Sequence, residues 1–177
     1  MLRPARTPSE KMIKVDHAGE NGAVNIYRAQ RVGAAFHALF GRENLRSHLA
    51  HFQEHEEEHR AIFAQYLKEA GVRRCVSYHL CGLGGWTLGL ITGLMGSRDI
   101  HATTYAVESV VLEHLRHQLD HLGTADAKAR KCVAAIYEDE LSHHDSGQAG
   151  MGDSRLEKLL VAIVKACTSG VIAFGMR

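Results

Sequence analysis

Hydrophobic residues recur at alternating steps of three and four positions along most of the chain, which is the spacing of one face of an α-helix. Prolines occur only at positions 4 and 8, so nothing interrupts this pattern before a glycine-rich stretch in the middle of the chain. The pattern therefore predicts an all-α protein. We expect helices at roughly 8–40, 43–70, 99–122 and 125–146, followed by an amphipathic helix at roughly 155–173.

The ends of these segments carry residues typical of helix termini. Thr-Pro-Ser-Glu at 7–10 has the pattern of a capping box, with the threonine as N-cap and the proline at the first helical position. Gly41 and Gly71 follow the first two segments as stop signals, and the third is expected to begin after Ser97 or Asp99 as its N-cap.

The inward face of the second predicted helix contains two residues that are unusual in an apolar core. Glu56 and His59 lie on this face, whereas Glu54, Glu57 and Glu58 fall on other faces, where water solvates them. A buried carboxylate without a partner is costly to desolvate, so Glu56 requires a partner or a metal ion. The whole face consists of Leu45, Leu49, Phe52, Glu56, His59, Phe63, Tyr66 and Ala70.

The other three long helices show the same anomaly. Glu20 lies on the inward face of the first, Glu108 on that of the third, and Glu140 with His143 on that of the fourth. The order along the chain is Glu, Glu-x-x-His, Glu, Glu-x-x-His, which is an internal repeat of two helical hairpins. One such pair in a helical protein is weak evidence, but two, each accompanied by a single inward glutamate, match the pattern of ferritin-like di-iron and di-manganese bundles.

The charges support a centre for two divalent ions. Four carboxylates carry about −4 and two such ions about +4, so the buried core is electroneutral when loaded. Oxygen and imidazole ligands without thiolate favour iron or manganese over structural zinc.

At these residues the chain resembles the demethoxyubiquinone hydroxylases, the di-iron monooxygenases of ubiquinone biosynthesis. The resemblance rests on VDHAGENGAVNIYRAQ at 15–30, EEEH at 56–59, AVES at 106–109 and DELSHHDSG at 139–147. It implies a ferritin-like four-helix bundle with additional apolar helices, two iron ions rather than manganese, and O2-dependent hydroxylation of the ring of a demethoxyubiquinone or its quinol before the final O-methylation. The implied ligands are Glu20, Glu56, His59, Glu108, Glu140 and His143.

The chain departs from this family at one position. Members usually have His-Tyr six and seven residues after the third-helix glutamate, and here His114 is kept but Leu115 replaces the tyrosine. His17 is either a hydrogen-bond donor that orients Glu20 or a core histidine. His144 and Asp145 are expected beside the site or at the helix end, and the remaining histidines of interest are expected to be surface or packing residues: His48, His51, His55, His79, His117 and His121.

Residues 78–96 contain no Asp, Glu, Lys or Arg, and Gly85, Gly89 and Gly93 recur there every four residues. At about 19 residues the segment is borderline for spanning a bilayer, and a span would separate the two hairpins that share the metal site. We expect a buried or interfacial helix that forms, with 155–173, an apolar surface lying on a membrane. A dimer or core interface is the alternative.

Composition narrows the function further. The chain has 177 residues, 45% of them hydrophobic, which suits one domain with a real core, and a formal charge of +1 argues against nucleic-acid binding. Four cysteines without a C-x-x-C pair are expected to be free thiols in a reducing compartment. The sequence contains no Gly-x-Gly-x-x-Gly fingerprint of a dinucleotide-binding module. The electrons are therefore expected from an external donor, which is NADH, a reductase or the quinone pool.

The resemblance implies a peripheral membrane protein on the cytoplasmic face of a bacterial inner membrane, or on the matrix side of the mitochondrial one, with a prenylated quinone as substrate and other ubiquinone-biosynthesis proteins as partners. Two alternatives stay open. One is another di-iron enzyme, such as a quinol oxidase or a peroxidase-type bundle, and the other is a ferritin-like iron-binding protein without catalytic activity.

Overall fold

A computed structural model describes residues 2–41, 45–123 and 125–176. In this part of the chain there are six helices and no β-strand. The helices are α1 Pro8–Leu39, α2 Arg46–Glu69, α3 Tyr78–Met95, α4 Ser97–Leu122, α5 Ala127–Gly150 and α6 Arg155–Met176. The predicted all-α architecture is therefore confirmed.

Two helical hairpins form the bundle. α1 packs against α2 and α4 against α5, and the hairpins meet through α2 with α5 and through α1 with α4 and α5. α3 lies along α1, and α6 lies along α4. The inward positions predicted for α2 and α5 are buried from Leu49 to Tyr66 and from Ala129 to His143.

The helix ends agree with the sequence at the first helix and differ at later ones. Both halves of the capping box at Thr7 are present, and Gly41 and Gly71 have the positive φ angles, 69° and 66°, that favour glycine after a helix. The prediction that Ser97 or Asp99 is the N-cap that precedes α4 was wrong, because Ser97 is already the first helical residue. The N-cap is Gly96, whose φ of 135° lets the chain turn from α3 into α4 within one residue.

Three other boundaries shift. α5 begins after Asp126, whose carboxylate accepts a hydrogen bond from the backbone N–H of Ala129, and it ends at Gly150 rather than near 146. α6 extends to Met176. The predicted start of the second helix near 43 lies outside the described residues.

α3 contacts α1 through the predicted glycine ridge. Gly85 lies against Gly22, Gly89 against the backbone of Ile26, and Gly93 against Gly33. A Cβ atom on Gly89 would lie 2.8 Å from Ile26 Cα, closer than real Cβ atoms approach other atoms. The absence of side chains therefore allows the two helices to approach backbone to backbone.

The opposite side of α3 and much of α6 are exposed and apolar. On α3, Leu83 is 65% and Ile91 is 54% exposed, and on α6, Leu156 is 61% and Phe174 is 55% exposed. α6 is, among the described residues, the one helix long and apolar enough to cross a membrane by length and composition alone.

Candidate metal centre

The six predicted ligands come together in the middle of the bundle. Glu20 comes from α1, Glu56 and His59 from α2, Glu108 from α4, and Glu140 and His143 from α5. All six are buried. Because residues three apart lie on one face of a helix, each Glu-x-x-His pair presents both side chains to the same point.

The ligand atoms form two overlapping groups. One atom from each of Glu20, Glu56, His59 and Glu140 lies within 4.8 Å of the others, and the same holds for Glu56, Glu108, Glu140 and His143. Glu56 and Glu140 belong to both groups. Two carboxylates common to neighbouring groups have the placement needed to bridge two metal ions.

Both histidines direct the Nδ1 atom toward the carboxylates. His59 Nδ1 is 2.9 Å from Glu140 Oε1 and 3.9 Å from an oxygen of Glu20 and of Glu56. His143 Nδ1 is 3.1 Å from Glu56 Oε1 and 3.7 Å from Glu140 Oε2. In each case a single ring nitrogen faces several carboxylate oxygens, as in a metal site.

Unpartnered polar atoms mark the space between these side chains. Glu56 Oε1, Glu140 Oε2 and His143 Nδ1 are buried and have no hydrogen-bond partner among the described residues. The 3.1 Å approach of His143 Nδ1 to Glu56 Oε1 brings two charged or polar groups together without hydrogen-bond alignment. Buried polar atoms without partners are rare, and a metal ion would satisfy all three. The residues present therefore fit a metal.

Without metal, the surroundings favour the protonated form of most of these carboxyls. Burial, followed by the charge of neighbouring carboxylates, raises the pKa values of Glu20, Glu56 and Glu108 well above the ordinary range. Burial opposes ionisation of Glu140 as well, but the imidazole of His143 at 3.7 Å and the hydrogen bond from His59 lower its pKa to about 2. Burial lowers the pKa of His59, yet the hydrogen bond to Glu140 and the charge of Glu20 raise it to about 9.

Further side chains contact the ligands from outside. His59 Nε2 is 3.2 Å from Asp139 Oδ2, and His143 Nε2 is 3.2 Å from His55 Nδ1. The hydroxyl of Tyr27 donates a hydrogen bond of 3.1 Å to Glu108 Oε1. Helical periodicity indicated no role for Asp139, and His55 was expected to be a surface or packing residue. Their positions in the sequence could have identified both residues, because each immediately precedes the glutamate of a Glu-x-x-His pair.

The remaining predicted residues lie away from the ligand groups. Glu54 and Glu58 are exposed, as expected, while the partly exposed Glu57 accepts hydrogen bonds from Arg28 and Gln53. The histidines at 51, 79, 117 and 121 are exposed and the one at 48 is half-buried, in agreement with surface or packing positions.

The other histidines singled out earlier have definite contacts. His17 stacks on Tyr78 with ring centroids 4.8 Å apart, which agrees with the core-histidine interpretation. His144 pairs with the exposed Asp145 at 2.9 Å.

A second polar cluster, which the sequence did not reveal, lies beside His114. Gln118 Nε2 donates hydrogen bonds of 2.8 and 3.0 Å to the buried carboxylate of Asp16. His114 Nε2 lies 3.4 Å from Asp16 Oδ1. Leu115, at the position of the family's tyrosine, is buried in the apolar core. Asp16 is thus held by residues of α4.

A narrow crevice between α1 and α4 reaches Glu108. It is lined by Ala23, Ile26, Tyr27, Thr103, Thr104, Val107 and Glu108. Ile26 and Val107 also pack with residues of α3 and α6, including Leu88 and Leu160. Two residues that line the crevice therefore also pack against the two apolar helices.

Comparison with known proteins agrees with this arrangement. A family model described as "Ubiquinone biosynthesis protein COQ7" matches residues 7–175. The chain belongs to the COQ7 family. This confirms the resemblance found in the motifs, and with it the ferritin-like helical bundle that COQ7 proteins share.

Curated relatives of this COQ7-family chain are named as hydroxylases. It is 33% identical over 141 residues to "NADPH-dependent 3-demethoxyubiquinone 3-hydroxylase, mitochondrial" of Dictyostelium discoideum, covering 78% of this chain and 62% of that protein. It is 31% identical to "3-demethoxyubiquinol 3-hydroxylase" of Rhodospirillum rubrum, covering 79% and 64%. The match to the Rattus norvegicus NADPH-dependent hydroxylase, at 31% identity, covers 80% and 64%. The chain thus spans slightly less than two thirds of these COQ7 relatives.

Proposed function

We propose that this protein uses two iron ions and O2 to hydroxylate the ring of a demethoxyubiquinone or its quinol. The observation that carries the proposal is the pair of buried ligand groups sharing Glu56 and Glu140. Membership of the COQ7 family, and relatives named as 3-demethoxyubiquinone and 3-demethoxyubiquinol hydroxylases, supply the substrate class.

In this proposal the six ligands divide into three pairs. Glu20 and His59 would hold the first ion and Glu108 and His143 the second, while Glu56 and Glu140, which belong to both groups, would contribute to both. Two ferrous ions bound there would supply electrons to O2 at a site from which bulk water is excluded. Because burial raises the pKa values of Glu20, Glu56 and Glu108, ions that bind there would compete with protons for these carboxyls.

The surrounding side chains orient the ligands and shape access. Tyr27 holds one oxygen of Glu108 through its hydroxyl, so the other oxygen remains for the second ion. We assign the crevice beside Ala23 and Val107 as the route by which the quinone ring reaches this side of the centre. It is too narrow for a water molecule in this conformation, so entry of a ring requires α1 and α4 to separate locally.

We further propose that the exposed faces of α3 and α6 lie on a membrane. Leu83, Trp86 and Ile91 on α3, with Leu159 and Ile163 on α6, expose apolar side chains to solvent, which is costly unless lipid or a partner covers them. A quinone with an isoprenoid tail resides in the membrane, and Ile26 and Val107 of the crevice pack against residues of these same helices.

The electrons come from outside the chain. Several relatives are named as NADPH-dependent, whereas the Rhodospirillum rubrum protein is named for the quinol. We propose a reduced nicotinamide cofactor as the donor here, with the quinol substrate itself as the competing source. Single-turnover assays with each reductant, under limiting O2, distinguish the two.

The principal test combines metal analysis with product analysis. Protein loaded anaerobically with Fe2+ is expected to bind two ions per chain and to convert a short-chain demethoxyquinol to its hydroxylated product. Glu56→Ala is expected to lose ion binding and turnover, because Glu56 belongs to both ligand groups.

Glu57→Ala is the matched control, since this neighbouring glutamate lies on the outer face and bonds to Arg28 and Gln53. Retention of two ions by the Glu56→Ala protein would contradict the ligand assignment. Two ions with oxidation of quinol but no ring hydroxylation would identify a quinol oxidase instead, and storage of many irons per chain would identify an iron store.

Membrane association is tested separately. Leu83→Glu with Ile163→Glu is expected to release the protein from liposomes without emptying the metal centre, because both side chains are exposed, at 65% and 52%. Unchanged liposome binding would reject the interfacial role. Loss of metal together with membrane binding would place these side chains in the folded core.

A further inference from the structure

The two histidines of the proposed metal centre differ in what lies behind them. Each directs Nδ1 to the carboxylates and Nε2 outward. Behind His59, the atom at 3.2 Å is a carboxylate oxygen of Asp139. Behind His143, the atom at 3.2 Å is Nδ1 of His55, and the two rings are stacked with centroids 5.3 Å apart at an angle of 22°.

These outer partners occupy equivalent places in the internal repeat. His55 immediately precedes Glu56, and Asp139 immediately precedes Glu140. Each reaches across from its own hairpin to the histidine of the other. A carboxylate behind His59 and an imidazole behind His143 therefore occupy equivalent places. The two contacts are alike in geometry but differ in chemistry.

The protonation of the histidines follows from coordination. An imidazole bound to a metal through Nδ1 carries its proton on Nε2, and that N–H needs an acceptor. The carboxylate of Asp139 is such an acceptor. His55 accepts only through the lone pair on Nδ1, which fixes its own proton on Nε2. The nearest oxygen of Asp139 is 3.9 Å from His55 Nδ1, too far for a competing hydrogen bond.

We propose that His55 is a positioning residue that holds the ring of His143 against the second metal ion and makes that position the weaker of the two. The inference rests on the proposed two-metal centre. An anionic acceptor increases the electron donation of a coordinating imidazole, and a neutral acceptor does so less. The ion beside His59 and Asp139 is therefore bound more tightly than the ion beside His143 and His55.

The two positions can be measured one at a time. Glu20→Ala removes a ligand that belongs only to the first group, and Glu108→Ala removes one that belongs only to the second. Mn2+, which does not oxidise in air, is the probe, and free ion is followed by electron paramagnetic resonance. In the Glu20→Ala background, His55→Ala is expected to lower the affinity of the second position for its ion about 10- to 100-fold. In the Glu108→Ala background it is expected to have no effect.

Two variants separate hydrogen bonding from packing. His55→Gln supplies a neutral oxygen acceptor and is expected to recover most of the affinity lost in His55→Ala, whereas His55→Asp is expected to exceed the original affinity of the second position. His51→Ala is the matched control, because among the described residues its ring contacts His55, with centroids 4.2 Å apart, and does not contact His143.

The spectroscopic readout is independent of turnover. Protein loaded with 57Fe2+ is expected to show two Mössbauer quadrupole doublets that converge in His55→Asp. The inference is overturned if His55→Ala leaves the second position unchanged or weakens both positions equally in a protein that still melts cooperatively. If the unmodified chain binds no pair of ions, the metal centre itself is rejected, and the role of His55 with it.

Discussion

The contact between α1 and α3 should be sensitive to a single methyl group. Gly89→Ala places a Cβ atom 2.8 Å from Ile26 Cα and 2.9 Å from Ile26 C, and still closer to Ile26 O. These obstacles are backbone atoms, which cannot rotate away as a flexible side chain does. The two helices must separate, or α3 must shift along α1, before the methyl group fits.

The size of the effect follows from two opposing contributions. Alanine is favoured over glycine inside a helix by roughly 0.5–1 kcal/mol. Overpacking a tight contact costs about 1–3 kcal/mol, and the upper part of that range applies where backbone must move. We therefore expect Gly89→Ala to lower the free energy of unfolding by about 1–2 kcal/mol, a fall in Tm of roughly 2–8 °C for a chain of this size.

Gly84 provides the control within the same helix. It lies on the exposed side of α3, and a Cβ atom there meets nothing within 4 Å among the described residues. Gly84→Ala should therefore gain the helix preference without the clash and raise Tm by a few degrees at most. Both variants are compared by urea unfolding and calorimetry on metal-loaded protein in the same detergent. Equal stability of the two variants would refute the close backbone contact.

Two further predictions concern the metal centre. The pKa values of Glu20, Glu56 and Glu108 are raised in the folded state, so their contribution to stability is fully present below the ordinary pKa near 4.5 and is lost as pH rises. The pKa of His59 is raised to about 9, so this residue adds a further loss of stability between pH 6.5 and pH 9. Urea midpoints of chelator-treated protein should therefore fall from pH 5 to pH 8, and metal should remove most of that slope; a flat profile would contradict the buried, protonated carboxyls. Tyr27→Phe removes the hydrogen bond to Glu108 and should lower the unfolding free energy by about 1–2 kcal/mol and weaken one of the two ions, as measured by urea unfolding and Mn2+ titration.

Helical periodicity was sufficient to predict the four bundle helices and to select the six cluster residues. An inward glutamate is conspicuous on an apolar face, and the three-residue spacing places its histidine beside it without any knowledge of the tertiary structure. The approach of Glu20 to His59, by contrast, depends on how the helices pack. In the sequence, only the repeated order Glu, Glu-x-x-His indicated that residues of different helices come together.

Residues whose role depends on a partner in another helix were harder to find. Asp139 and His55 lie one step away from the inward face, so their periodicity resembles that of solvated residues. Gln118 contacts Asp16 across the bundle at a separation that no local spacing encodes. The start of α4 was misplaced because the sequence offered two polar residues as caps, whereas the turn depends on the backbone of Gly96.

The division of the ligand groups between the hairpins has a consequence for assembly. The α1–α2 hairpin contributes three residues to the first group and one to the second, and the α4–α5 hairpin contributes the reverse. Neither hairpin can therefore complete a binding position before the two have docked. Capture of an ion by either group would therefore report that the halves of the molecule are correctly joined.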